Sequence, residues 1–169
     1  MDLTDVLVQH DFWLTRRFLE KAQSLSDTQL DQQLKGIGNP LSYLSEVKTL
    51  REMLHRLVFT KERWMDSVHG RQENQNPDKS VAGMLKRLDS AFGEFSALTR
   101  KVRDENLWAS SFMDLVCEPP ETFTYGGMIA HVVTFSAYRR TAVIEAFEYF
   151  GIEDFNSGDP IEWQRAQAE

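Results

Sequence analysis

Residues 81–103 read VAGMLKRLDSAFGEFSALTRKVR, and this stretch decides the fold class. Its apolar side chains recur at steps of three and four residues, which places them on one face of an α-helix. Residues 3–23, 42–69 and 125–150 have the same periodicity. Because no strand pattern alternates with these helices, the sequence predicts an all-α four-helix bundle.

The connections between the predicted helices differ in length. SDTQ at residues 26–29 matches a capping box and predicts a short helix directly after the first long one. Residues 104–124 form a long connection whose EPPE sequence suits a turn between two short extended segments, so a hairpin is expected before the last long helix. Residues 152–169 are expected to form a tail that packs on the bundle. We interpret residues 1–169 as a single domain.

Composition excludes several classes of protein. The chain has 169 residues, a net charge of −7 and one cysteine, Cys117. One cysteine cannot form an intramolecular disulfide framework, and an acidic total is unfavourable for binding nucleic acid. The sequence has no apolar run of about 18 residues, and its N-terminus lacks the pattern of a signal peptide. These features predict a soluble, cytoplasmic protein that binds neither nucleic acid nor membranes.

Histidines on the predicted inward faces are the first candidates for a functional site. His10, His55 and His131 come one from each of three helices. A catalytic metal site in a bundle uses about three such ligands and an open position. A lone histidine on an inward face is also a common structural residue, and His10 has Asp11 or Arg17 as a near neighbour for a hydrogen bond. Both interpretations stay open.

A second group of candidates surrounds Arg139 on the last long helix. An arginine that faces the bundle interior needs a carboxylate or an anionic ligand, because an unpaired buried charge is very unfavourable. Glu62 is its natural partner if both side chains turn inward. The alternative is that Glu62, with Lys61 and Arg63, belongs to an ordinary solvated face.

Three local strings resemble the DinB-like (YfiT-like) four-helix-bundle family. They are LVQHDFWLTRRFLEKAQSLSDTQLD at residues 7–31, LREMLHRLVFTKERWM at 50–65 and GGMIAHVVTFSAYRR at 126–140. The likeness extends from Leu3 to about Trp163. It implies a compact bundle, a homodimer and, in many members, nickel or zinc held by three histidines. Where function is known, the resemblance implies thiol-dependent transferase or isomerase activity.

The histidine set that this resemblance implies is incomplete in the chain. His55 lies near the family's ligand position on the second long helix, and His131 matches the first position of an HxxxH motif on the last. In this register Phe135 and Arg139 stand where metal-binding relatives have histidine. If Arg139 instead matches the arginine of the motif, the ligand positions fall on Tyr138 and Thr134, so neither register contains the histidine pair. Either the site is rebuilt from His10, His55 and His131, or the divalent metal is absent or weakly bound. The second alternative is favoured, because metal affinity depends on the number of ligands.

Three functions are compatible with these observations. The first is a thiol-dependent transferase or hydrolase that acts on a small molecule bound between the helices. Its expected catalytic residues are His131, Glu62 and Tyr138, and its expected substrate-binding residues are Arg139, Trp13 and Phe135. The second is a metal-free bundle that binds a small anionic or aromatic ligand, and the third is a structural protein whose polar cluster fixes the packing of the bundle.

Overall fold

The computed structural model describes residues 2–34, 48–153 and 158–168. These parts contain six helices and one two-stranded hairpin, so the predicted all-α fold class is confirmed. In chain order the elements are α1 (Leu3–Ala22), α2 (Asp27–Leu30), α3 (Leu50–His69), α4 (Val81–Asp104), β1 (Ser111–Asp114), β2 (Glu121–Thr124), α5 (Tyr125–Tyr149) and α6 (Pro160–Ala166).

Side-chain caps decide where the four long helices begin. The side chains of Asp2, Thr49, Ser80 and Thr124 each accept a hydrogen bond from a backbone N–H of the following first turn. Such a cap satisfies one of the backbone donors that a helix leaves unpaired at its N-terminus. The cap at Thr49 corrects the prediction that the second long helix starts at residue 42. Residues 42–47 of that prediction lie outside the described residues.

The four long helices form a closed ring of neighbours. α1 packs against α4 and α5, α3 packs against the same two helices, and α1 and α3 meet across the diagonal. The core between them is formed by apolar side chains from all four helices. Its largest fully buried members include Phe18, Phe95, Phe147, Leu54 and Met65.

The connection between α4 and α5 contains the expected hairpin. β1 and β2 are antiparallel, and Phe112 lies opposite Phe123. Both rings meet the indole of Trp64 on α3 nearly edge-on, with centroid distances of 6.3 and 5.4 Å. Asp114 is fully buried and accepts a hydrogen bond of 2.9 Å from Arg63. An aromatic contact and an ion pair therefore hold the hairpin against α3.

The C-terminal residues include a helix that periodicity did not predict, because α6 has only seven residues. Its Trp163 is 4% exposed. The Nε2 atom of His10 on α1 lies 2.7 Å from the carbonyl oxygen of Gly158, just before α6. Phe155, another apolar residue of the tail that was expected to pack on the bundle, lies outside the described residues. Within the described residues, every helix is too short or too polar to cross a membrane.

Candidate functional site

The three histidines proposed as metal ligands lie in three separate environments. His10 bonds to the Gly158 carbonyl, His55 contacts Arg87 on α4, and His131 contacts Trp64 at a centroid distance of 5.6 Å. Across residues 2–34, 48–153 and 158–168, no three His, Cys, Asp or Glu side chains are grouped so that they could hold a metal ion. The structure thus does not assemble His10, His55 and His131 into one site.

Four predicted site residues, with His131 among them, share one face of α5. The ring of His131 stacks on that of Phe135 at 4.9 Å, and Phe135 meets Tyr138 at 5.9 Å. The guanidinium of Arg139 lies 4.7 Å from the Phe135 centroid, and it donates a hydrogen bond to Thr60 on α3. Burial first, and then the charges of Arg139 and Arg63, lower the pKa of His131. These side chains form an aromatic strip along the groove between α3 and α5.

Glu62 has a different partner from the one predicted. Its two carboxylate oxygens accept hydrogen bonds of 2.9 and 2.5 Å from Arg87 of α4, rather than from Arg139. Arg87 also lies 3.4 Å from Nδ1 of His55. Burial first, and Arg87 second, lower the pKa of His55 to about 4. Glu62 therefore faces α4, whereas the neighbouring Trp64 faces α5.

A buried ionic cluster at the centre of the bundle was not predicted. Asp11 of α1 lies 3.0 Å from Nζ of Lys61 on α3 and accepts a hydrogen bond from Arg140 on α5. Lys61 is fully buried, and it also donates to the hydroxyl of Ser136 and to the carbonyl of Leu57, at 3.1 and 3.2 Å. The cluster joins three helices, and it contains two cations and one carboxylate.

The protonation of Lys61 is set by two opposing effects. Burial removes the ammonium group from water and lowers its pKa, while the adjacent Asp11 carboxylate opposes that shift. The ammonium also lies 5.2 Å from the ring centroid of Phe12, on the residue next to Asp11. The three oxygen partners of Nζ, on Asp11, Ser136 and Leu57, match the three donors of an ammonium group. The cluster then has two positive charges and one negative charge beneath this ring.

Helical periodicity in the sequence indicates that two members of this cluster, Lys61 and Arg140, are buried. Lys61 lies four residues after Leu57 and four before Met65, both of which are core positions. Arg140 lies four residues after the buried Ser136 in the same way. Strict application of helical periodicity would thus have placed Lys61 and Arg140, rather than Glu62 and Arg139, in the interior.

A cleft with aromatic walls opens between α1, α4 and α6. Its volume is about 210 Å³, and the rings that line it are Phe12, Trp13, Phe92 and Trp163. Phe12 and Phe92 lie 5.0 Å apart, and the His10 ring lies 6.1 Å from Trp13 and 6.3 Å from Trp163. Of the predicted substrate-binding residues, Trp13 belongs to this cleft. We call it the aromatic cleft.

The rim of the aromatic cleft is polar. It is formed by the side chains of Gln9, Arg16, Asp89 and Gln167. Arg16 forms an ion pair with Asp89 and also lies 3.9 Å from Glu20, so its positive charge is already compensated. Apolar walls with a few polar groups at the mouth are typical of sites for small organic molecules.

A second cleft, of about 220 Å³, lies between α3 and α4 and differs in character. It contains Glu62, Asp66, Arg71, Arg87 and Glu94. Both arginines are already paired, Arg87 with Glu62 and Arg71 with Asp66 and Glu94. A ligand would therefore have to compete with existing ion pairs at this place.

The described fold and its clefts define a helical bundle with an ionic cluster in its core and an aromatic cleft on its surface. Comparison of the chain with protein-family models, with curated proteins and with solved structures finds no match.

Proposed function

We propose that this protein is a DinB-like bundle that binds a small aromatic molecule in the aromatic cleft, without a metal held by His10, His55 and His131. The observation that carries the proposal is the convergence of rings from three helices, Phe12 and Trp13 of α1, Phe92 of α4 and Trp163 of α6. The homodimer that the resemblance implies remains part of this proposal.

The size of the cleft limits the ligand. About 210 Å³ is below the range of about 300–1,000 Å³ that drug-sized molecules occupy. One ring or two fused rings suit such a volume. Aromatic contacts add to the free energy gained from burying apolar area, so the four walls favour a planar ligand.

The positions of the predicted catalytic groups favour binding over catalysis. A general acid or base must lie within hydrogen-bond reach of the proton that it transfers. Glu62 lines the cleft between α3 and α4, whereas His131 and Tyr138 belong to the aromatic strip on α5. None of the three lines the aromatic cleft.

The test is calorimetric titration of the protein with 2-naphthamide, a neutral bicyclic probe, before and after dialysis against EDTA. We expect saturable binding that is unchanged by the chelator. Loss of one aromatic wall removes about 1 kcal/mol or more of contact energy, so Trp13→Ala and Phe92→Ala should each weaken binding about tenfold.

The matched control is Phe59→Ala, because Phe59 is a partly buried phenylalanine that lines the cleft between α3 and α4. This variant should bind the probe like the unchanged protein. Circular dichroism of each variant checks that the helices are retained. Absence of binding by the unchanged protein, or equal loss in all three variants, would contradict the proposed site.

A further inference from the structure

A cationic side chain of the protein itself lies against two of the four rings that line the aromatic cleft. The guanidinium of Arg17 lies 4.9 Å from the Trp13 centroid. The ammonium of Lys61 lies 5.2 Å from the Phe12 centroid. Both distances are within the range of about 6 Å in which a cation is attracted to the face of a ring.

These contacts change what the cleft can bind. A set of aromatic walls would by itself suit an ammonium ligand, because ring faces are electrostatically negative. Here Arg17 and Lys61 already lie against the rings of Trp13 and Phe12, and their charge offsets the negative electrostatic potential of those rings. A cationic ligand against the same rings would also lie close enough to Arg17 and Lys61 to be repelled.

The surrounding charges do not cancel this effect. Asp11 is shared between Lys61 and Arg140, so the cluster beneath Phe12 retains excess positive charge. At the rim, Arg16 is paired with Asp89 and also lies 3.9 Å from the solvent-exposed carboxylate of Glu20. The cations that act on the aromatic walls are therefore Arg17 and Lys61, behind Trp13 and Phe12.

We infer that the aromatic cleft selects neutral or anionic aromatic molecules and rejects aromatic cations. This inference rests on the proposed function, and it adds the charge class of the ligand.

The experiment compares three probes of nearly equal shape and different charge: 2-naphthoate, 2-naphthamide and 2-naphthamidinium. Each is titrated calorimetrically into the unchanged protein at low ionic strength, since salt screens partly exposed charges. We expect the amidinium to bind about tenfold or more weakly than the amide, and the carboxylate to bind at least as tightly as the amide.

Arg17→Gln tests the cause of this selectivity. The variant removes the cation over Trp13, so the ratio of amide to amidinium affinity should fall several-fold. Any loss of packing against Trp13 affects all three probes alike and leaves the ratio unchanged. Arg100→Gln is the control, because Arg100 is an exposed arginine of α4 that does not line the cleft. It should keep the ratio of the unchanged protein.

The possible outcomes separate the two proposals. Binding of the amidinium as tight as that of the amide would overturn the charge selectivity and leave the proposed function standing. A ratio that Arg17→Gln does not alter would overturn the assignment to the protein's own cations. Failure of 2-naphthamide itself to bind would instead reject the proposed function.

Discussion

Asp11 supplies the negative charge that compensates two buried cations in the interior of the bundle. Its carboxylate is the anion shared by Lys61 and Arg140, and all three side chains are buried. Removing one partner of a buried pair leaves an uncompensated charge, whereas replacing the whole pair by apolar side chains can be almost neutral. Because the cluster has two cations for one anion, its three members should not be equally important for stability.

Asp11→Asn should lower the free energy of unfolding by about 3–5 kcal/mol, because both buried cations lose their counter-charge. Lys61→Met leaves Asp11 and Arg140 as a one-to-one pair and should cost about 1 kcal/mol or less. Urea unfolding of the two variants measures the difference. If Lys61→Met destabilises the protein as much as Asp11→Asn does, this account of the charge balance is wrong.

His55 should make the protein sensitive to mild acid. Its pKa is lowered from 6.5 to about 4 by burial and by Arg87. Between these two values the unfolded chain binds a proton that the folded protein does not, so acid favours unfolding. Stability should be constant above about pH 6.5 on this account, and it should fall by about 2 kcal/mol on going to pH 5.

His55→Gln should remove much of this pH dependence. The remainder comes from His10 and His131, whose pKa values are also lowered by burial. Urea unfolding at pH 7.5 and pH 5 provides the measurement. An unaltered slope in His55→Gln would refute the role of this residue.

At the level of elements, the packing of α6 on the bundle depends on the backbone conformation of Gly158. This residue has φ +68°, and its carbonyl accepts from His10 across the helix boundary. A Cβ atom added at Gly158 would lie 2.3 Å from Cδ2 of Leu14, a core atom of α1. Glycine is thus required twice, for the left-handed conformation and for the close approach of the two segments.

Gly158→Ala should therefore release α6 from the bundle. Gly151→Ala is the matched control, because Gly151 has φ +74° but no atom within 4 Å of an added Cβ. It should cost only the conformational penalty of about 1–2 kcal/mol. Hydrogen exchange of the amides in α6 measures the release, and affinity for 2-naphthamide should fall in Gly158→Ala alone. Equal protection of α6 in both variants would contradict this role of Gly158.

The elements also differ in how well the sequence predicted them. The four long helices follow from periodicity and caps, since both are local signals. α6 was missed because seven residues are too few for a periodic pattern. The hairpin was expected from the EPPE turn, whereas its anchor, the ion pair of Asp114 with Arg63, joins residues 51 positions apart and could not be predicted.

For the whole molecule, the fold class, the order of the long helices and the hairpin before the last of them follow from local sequence patterns. These features depend on contacts between residues near one another in the chain. Which charged groups meet depends instead on how the helices pack, because the bond between Asp11 and Arg140 spans 129 positions. Likewise, the chosen candidates Glu62 and Arg139 were each adjacent to the residue that is actually buried.

The candidate site also combines one residue that could be chosen from the sequence with partners that depend on helix packing. Trp13 could be chosen from the sequence because it lies on an amphipathic helix with His10, but its partners Phe92 and Trp163 come from α4 and α6. A helix of 3.6 residues per turn fixes which side chains share a face, and it leaves open which helix that face meets. The aromatic cleft, its cations and the separation of the three histidines are consequences of how the helices pack against one another.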